Sequence, residues 1–205
     1  MPAALILAGG RGERLGGVIK SGLVVGGMRL LDRVSDRLAS CEPVLVAHGR
    51  IAPELLQLSA GMTAVPDLDG DYGGPLAGVA GAIAYLNGLA TPPELLISVA
   101  VDTPFLPEDF VARLVDGLGE APAAVASYAG QHYPTNSIWR VARFRDLPER
   151  VAAGSAPRSL KSLCAGAGGI DIAWPVTADG DPFANVNTPA DLAELEHRAA
   201  AAAAP

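Results

Sequence analysis

Short unbroken apolar runs alternate along the chain with segments whose apolar residues recur every three or four positions. The first pattern marks buried strands and the second marks helices with one core-facing side. Ala3–Ala8 is apolar throughout and stops at Gly9-Gly10, which predicts a strand covered on both faces and feeding a glycine loop. Leu23–Val25 predicts a short strand ahead of the Gly26-Gly27 turn. From Leu30 to Ala39, apolar residues at 30, 31, 34 and 38 have helical spacing. Pro43–Ala47 and Thr63–Val65 read as strands, with a short helix over Pro53–Leu58 between them. Pro75 suits the first turn of a helix reaching about Leu86, and Leu95–Val101 is a buried strand ending at Asp102. Pro107-Glu108-Asp109 opens a further helix, and Ala123–Ser127 forms a strand. Thr188 caps a final helix that begins Pro189-Ala190-Asp191, and the alanine tail from Ala199 is expected to fray.

Strands alternating with helices imply right-handed crossovers and a mostly parallel sheet. The expected fold is α/β, a single three-layer α/β/α domain over 1–205 of Rossmann-like type, with residues 199–205 as a loose tail. In such sheets ligands bind beyond the carboxyl ends of the strands. That rule selects three places: Gly9 onward, Asp67 onward and Asp102 onward.

Composition narrows the function. Half of the residues are hydrophobic and 18% are charged, which suits a packed core rather than disorder. Only 5% are aromatic, so Ala, Val, Leu and Ile must fill that core. A net charge of −7 argues against nucleic acid as a partner, although a local pair of cations can still hold one small phosphate compound. Cys41 and Cys164 have no metal-ligand spacing and read as two buried thiols of a reducing cytosol. The opening apolar run is too short for a signal peptide and no stretch is long enough to span a bilayer, so a cytoplasmic protein without membrane contact is expected.

The candidate chemistry begins in Leu7-Ala8-Gly9-Gly10-Arg11-Gly12-Glu13-Arg14-Leu15-Gly16-Gly17-Val18-Ile19-Lys20. A dinucleotide fingerprint fails because Leu15 stands where its third glycine belongs, and a P-loop fails because Ile19 precedes Lys20-Ser21. Glycines still let backbone N–H groups approach phosphate, while Arg14 and Lys20 add two cations for β- and γ-phosphates or for departing pyrophosphate. The alternative is a glycine-rich surface loop with incidental charges. Asp102, at the ligand face of a buried strand and stiffened by Thr103-Pro104, can hold Mg²⁺; a turn-starting role is its alternative. Gly74, Gly78 and Gly81 leave one side of a helix start bare, either to admit a base or ribose or to pack tightly on the sheet. Asn185 and Asn187 alternate in Phe183-Ala184-Asn185-Val186-Asn187, which puts both amides on one face. No Ser-His-Asp or Cys-His arrangement is evident, and His132 stands alone.

Leu-Ala-Gly-Gly with Arg14, Leu15, Gly16 and then Lys20 resembles the signature loop of the molybdenum cofactor guanylyltransferase (MobA-type) family. It is similar, more loosely, to the wider nucleotidyltransferases of the nucleotide-diphospho-sugar transferase (glycosyltransferase-A-like) fold. Gly74-Pro75-Leu76-Ala77-Gly78, Asp102-Thr103-Pro104-Phe105-Leu106-Pro107 and Asp181–Pro189 extend the resemblance over nearly the whole chain. It implies transfer of GMP from GTP to molybdopterin, with Mg²⁺ as cofactor and pyrophosphate as second product. Arg14, Lys20 and Asp102 would then be catalytic, with Asp102 on the metal. Leu7, Ala8, Gly9, Gly10, Lys20, Asp67, Gly78 and Asp102 would meet the nucleotide, while Asn185 and Asn187 would line the acceptor side. Asp69 and Asp71, beside Asp67, serve equally well as loop solvation. Transient contact with molybdoenzymes or their chaperones is the protein partnership implied.

Two departures stand out: Ile19 replaces an acid usually found before the loop lysine, and Ala47 stands where the family commonly has Asn. They lend weight to one rival, a non-catalytic cofactor-delivery protein; the other, a relative using CTP or a sugar-phosphate acceptor, stays open because backbone contacts at Leu7–Gly9 do much of the base selection.

Overall fold

The computed structural model describes residues 1–12, 15–68 and 72–202. Its strands are β1 (Ala3–Leu7), β2 (Arg11–Gly12), β3 (Val18–Ile19), β4 (Val24–Val25), β5 (Met28–Arg29), β6 (Val44–Ala47), β7 (Met62–Val65), β8 (Leu95–Ala100), β9 (Ala123–Tyr128), β10 (Gln131–Arg140) and β11 (Ile170–Trp174). Its α-helices are α1 (Leu30–Asp36), α2 (Pro75–Asn87), α3 (Phe110–Leu118), α4 (Leu147–Ala152), α5 (Leu160–Gly166) and α6 (Pro189–Ala202). Seven strands form the central sheet in the order β11-β9-β10-β8-β1-β6-β7. β1 pairs in parallel with β6 and β8, β6 with β7, and β9 with β11, whereas β10 runs antiparallel to both β8 and β9. The sheet is therefore mostly parallel, as expected, with one reversed strand that periodicity alone does not reveal.

The continuous apolar character of β1 follows from its position. Ala4, Ile6 and Ala8 join a core that includes Leu31 and Val34 of α1 and Phe110 and Leu114 of α3. Ala3 and Leu5 face the opposite core, with Val79 and Ile83 of α2, Leu147 of α4 and Leu160 of α5. Both faces of the strand are covered by helix, so no position can be polar without losing burial.

Several element boundaries differ from the sequence expectation. α1 ends at Asp36, and tight turns follow, with Leu38 N–H donating to the Ser35 carbonyl at 2.9 Å. Residues 53–58 give only a 3-10 turn over Pro53–Leu56, since Gln57 adopts φ +49° and stops it. Pro107-Glu108-Asp109 forms a turn ahead of α3, with Asp109 at its N-cap. The last helix runs through Ala202, with Ala199 buried against the β4–β5 hairpin beside Val25 and Leu30, and residues 203–205 of the expected loose tail lie outside the described residues. Its start is held as the sequence suggests: Thr188 Oγ1 accepts from Asp191 N–H at 3.2 Å, and Asp191 Oδ2 accepts from the Thr188 and Asn187 N–H groups at 2.8 and 2.9 Å.

Candidate active site

At the carboxyl ends of β1, β6, β7 and β8, one cleft of about 680 Å³ is lined by Leu7, Gly9, Gly10, Lys20, Asp67 and Asp102, with Asn185 on its far side. The three places selected by strand ends thus open into a single cavity. The glycine loop leaves β1 and crosses the 47–49 segment at close quarters. Ala8 N–H donates to the Ala47 carbonyl at 2.8 Å, and a Cβ on Gly9 would stand 2.9 Å from Gly49 Cα. Gly49 has φ +57°, so both backbones meet where neither position has room for a side chain.

The loop then folds into a small antiparallel ribbon, with Arg11 opposite Ile19 and Gly12 opposite Val18. Glu13 and Arg14 lie outside the described residues. The ribbon leads straight into a 3-10 turn over Lys20–Gly22, which delivers the Lys20 side chain into the cleft. There Nζ donates to Asp102 Oδ2 at 2.6 Å and to Asn187 Oδ1 at 2.6 Å. Lys20 is only 8% exposed, so residues distant in sequence meet in a largely desolvated ion pair.

Asp102 is aimed by its own turn. Thr103, fully buried, donates through Oγ1 to the Ala100 carbonyl at 2.6 Å, and Asn136 Oδ1 accepts from Ala100 N–H at 3.1 Å. Regular pairing of β10 with β8 ends at Ser137 opposite Ser98, so the Asn136 side chain supplies the bond that the ladder would have made. Val186 N–H donates to the Asp102 carbonyl at 3.1 Å, tying the 185–187 segment to the same turn. That segment joins no strand, contrary to its alternating pattern, because no neighbouring strand offers it a ladder. Asn187 reaches Lys20, while Asn185 presents a buried Oδ1 with no hydrogen-bond partner.

On the opposite wall, Asp67 Oδ1 accepts from Gly49 N–H at 3.1 Å. Burial pushes its carboxyl above the ordinary carboxylate range, against the lowering effect of that bond. Tyr72 and Arg50 also line the cleft and were not singled out in the sequence. Tyr72 hydroxyl donates to the Ala156 carbonyl and Arg158 lies 4.9 Å over its ring. The low-complexity look of the Asp/Gly-rich loop hides this tyrosine, although a lone aromatic in such a loop is itself a signal.

Two expected nucleotide contacts sit elsewhere. Ala8 is fully buried behind the cleft wall. Gly78 is covered: a Cβ there would lie 2.7 Å from Leu7 Cδ2 and 3.2 Å from Ala47 Cβ. Gly81 would strike the Pro66 carbonyl oxygen at 2.2 Å, so both glycines serve close helix-to-sheet packing. A larger side chain at position 47 would press on that same contact. His132 lies at the exposed end of β10, with Nδ1 3.2 Å from Asp171 Oδ1, and does not line the cleft. Asp69 and Asp71 fall outside the described residues.

A hard divalent cation needs oxygen ligands, and the Asp102 carboxylate with the Asn187 and Asn185 amide oxygens is a set of that kind. The orphaned Asn185 Oδ1 is an acceptor waiting for a cation or donor. Among the described residues no group of three or more His, Cys, Asp or Glu side chains converges, so phosphate and water oxygens would have to complete the shell.

The model of the MobA-like NTP transferase domain matches residues 4–169. The chain belongs to that family. Among its relatives, the molybdenum cofactor guanylyltransferase of Rhodobacter capsulatus is 38% identical over 198 residues, spanning 96% of this chain and 95% of the relative. That of Bradyrhizobium sp. (strain ORS 278) is also 38% identical, over 201 residues, with 96% and 92% covered. The fold of this MobA-like chain is shared by the molybdopterin-guanine dinucleotide biosynthesis protein A of Archaeoglobus fulgidus, with a TM-score of 0.71 at 18% identity over 97% of this chain and 99% of that one. It is shared too by the 2-C-methyl-D-erythritol 4-phosphate cytidylyltransferase of Thermus thermophilus, with a TM-score of 0.68 at 20% identity over 98% and 100%. The MobA-like chain is thus a nucleotidyltransferase.

Proposed function

We propose that this nucleotidyltransferase moves GMP from GTP onto the terminal phosphate of molybdopterin and releases pyrophosphate. The observation that carries the reading is the meeting of Lys20, Asp102 and Asn187 at the end of a glycine-walled cleft, in a chain of which guanylyltransferase relatives match 96%. An acceptor phosphate oxygen attacks the α-phosphorus, a new P–O bond forms, and the bond to the bridging oxygen of the β-phosphate breaks. A phosphate monoester with its second pKa near about 6 is mostly ionised at neutral pH, so no general base is required.

The protein's part is positioning and charge neutralisation. Backbone at Leu7, Gly9 and Gly10 receives the nucleotide, and the Asp67 carboxylate faces its base or ribose. Lys20, with Arg14 by resemblance, holds the phosphates that become pyrophosphate. Asn185 and Asn187 orient the acceptor. Asp102 would hold Mg²⁺, which would supply positive charge to offset the charge growing on the phosphates. The site lies in the cytoplasm on this reading, consistent with the lack, among the described residues, of any helix long and apolar enough to cross a membrane. Transfer of the product to a molybdoenzyme or its chaperone would follow.

Pyrophosphate release measured with GTP, CTP and ATP, with and without molybdopterin and Mg²⁺, tests the reading. Release only with GTP, molybdopterin and Mg²⁺ together is expected. Preference for CTP would assign the relative's chemistry to another base, and tight binding without release would make the chain a carrier.

A further inference from the structure

Lys20 Nζ contacts the Asp102 carboxylate and the Asn187 amide oxygen at 2.6 Å each. These are two of the oxygens that a hard divalent cation would claim, and an ammonium and a metal cannot occupy the same seat. The Lys20 and Asp102 side chains are 11% and 13% exposed, so neither charge is freely hydrated and each depends on the other. We infer that Lys20 is the metal's place-holder. It neutralises Asp102 while the cleft is empty and gives the carboxylate up only when nucleotide phosphates draw the ammonium away.

Two further features make that exchange one-sided. Apart from Asp102, the described residues bring no cluster of acidic or His ligands to the cleft, so a free metal ion meets a filled seat with too few ligands. Lys20 carries its charge on a flexible four-carbon stem from a fixed 3-10 turn, so the ammonium can change partner while its backbone stays anchored. Nucleotide and metal then enter as a coupled pair, each raising affinity for the other. This inference rests on the proposed metal role of Asp102.

Mn²⁺ binding, followed by the electron paramagnetic resonance signal of the free ion, separates the possibilities in the full chain. The probes are Mn²⁺ alone and Mn²⁺ with the α,β-methylene analogue of GTP, whose α–β link cannot be cleaved. Lys20→Met and Lys20→Gln should bind Mn²⁺ without nucleotide about tenfold more tightly than the unaltered chain, and Lys20→Arg should not. Two neutral replacements are used so that a folding defect in one, read from its melting curve, leaves the other. Equal Mn²⁺ affinity in the unaltered chain and a folded neutral variant would overturn the place-holder role. If instead the unaltered chain with the analogue binds no more Mn²⁺ than the free analogue does, the metal reading of Asp102 fails first and the place-holder role falls with it.

Discussion

Single side chains carry most of the chemistry, and their surroundings set what each substitution does. Asp102→Asn keeps an oxygen for Lys20 but loses the charge. Turnover, measured as pyrophosphate release, should drop by about 100-fold or more, and the melting temperature should fall as well, because the Lys20 ammonium loses its counter-charge. Asp102→Ala would remove the ammonium's hydrogen-bond acceptor in addition and should melt lower still. Asp67 makes a different case. Burial raises its pKa in the folded chain, so its contribution favours folding fully below the unfolded carboxyl range near about pH 4 and fades as pH rises through the higher folded value. Asp67→Asn should therefore melt no lower than the unaltered chain at neutral pH and lose any advantage below that range, while nucleotide affinity falls; a constant melting difference across pH would contradict this. Cys41 and Cys164, both pushed up to about 11 by burial, have no part in the chemistry.

Elements show where the sequence was readable. β1, β6 and β8 declare themselves because strands covered on both sides are apolar almost throughout, with Ser98 of β8, bonded by the Trp139 indole N–H, as the exception, and Asp102 declares itself by ending such a strand. β10 is hidden by Pro134 and by the irregular pairing between Tyr133 and Ser137, where its ladder with β9 slips. Asn136 is missed for the same reason, since its bond to Ala100 exists only because that ladder stops. Gly78 is legible as a close approach, but not which partner approaches; only the packing of α2 on the sheet puts Leu7 and Ala47 there. The cap of α6 was readable from Thr188 and Asp191 alone. Hydrogen bonds from the Asn187 backbone lower the Asp191 pKa, so its contribution is present above about pH 4 and is lost as pH falls through the folded value. Asp191→Ala should lower stability modestly by denaturant titration at neutral pH and leave it unchanged at strongly acid pH.

At the scale of the molecule, the 183–187 segment is held by an aromatic cluster. Phe183, fully buried, packs on Tyr133 and Trp174 with ring centroids 5.0 Å from each, and on Phe110 at 6.2 Å. Phe183→Ala should cost about 3–5 kcal/mol in chemical unfolding, and should weaken the acceptor's apparent affinity more than that of GTP, because Asn185 lies two residues on. Helix α6 closes the other side, its Glu196 accepting from Gly26 N–H at 3.0 Å across the hairpin that follows Lys20. Lys20 and Asn187 stand 167 positions apart yet share one hydrogen bond. A nascent chain short of Asn187 therefore lacks one acceptor of the Lys20 ammonium, and that corner of the cleft is complete only once the 185–187 segment has been made.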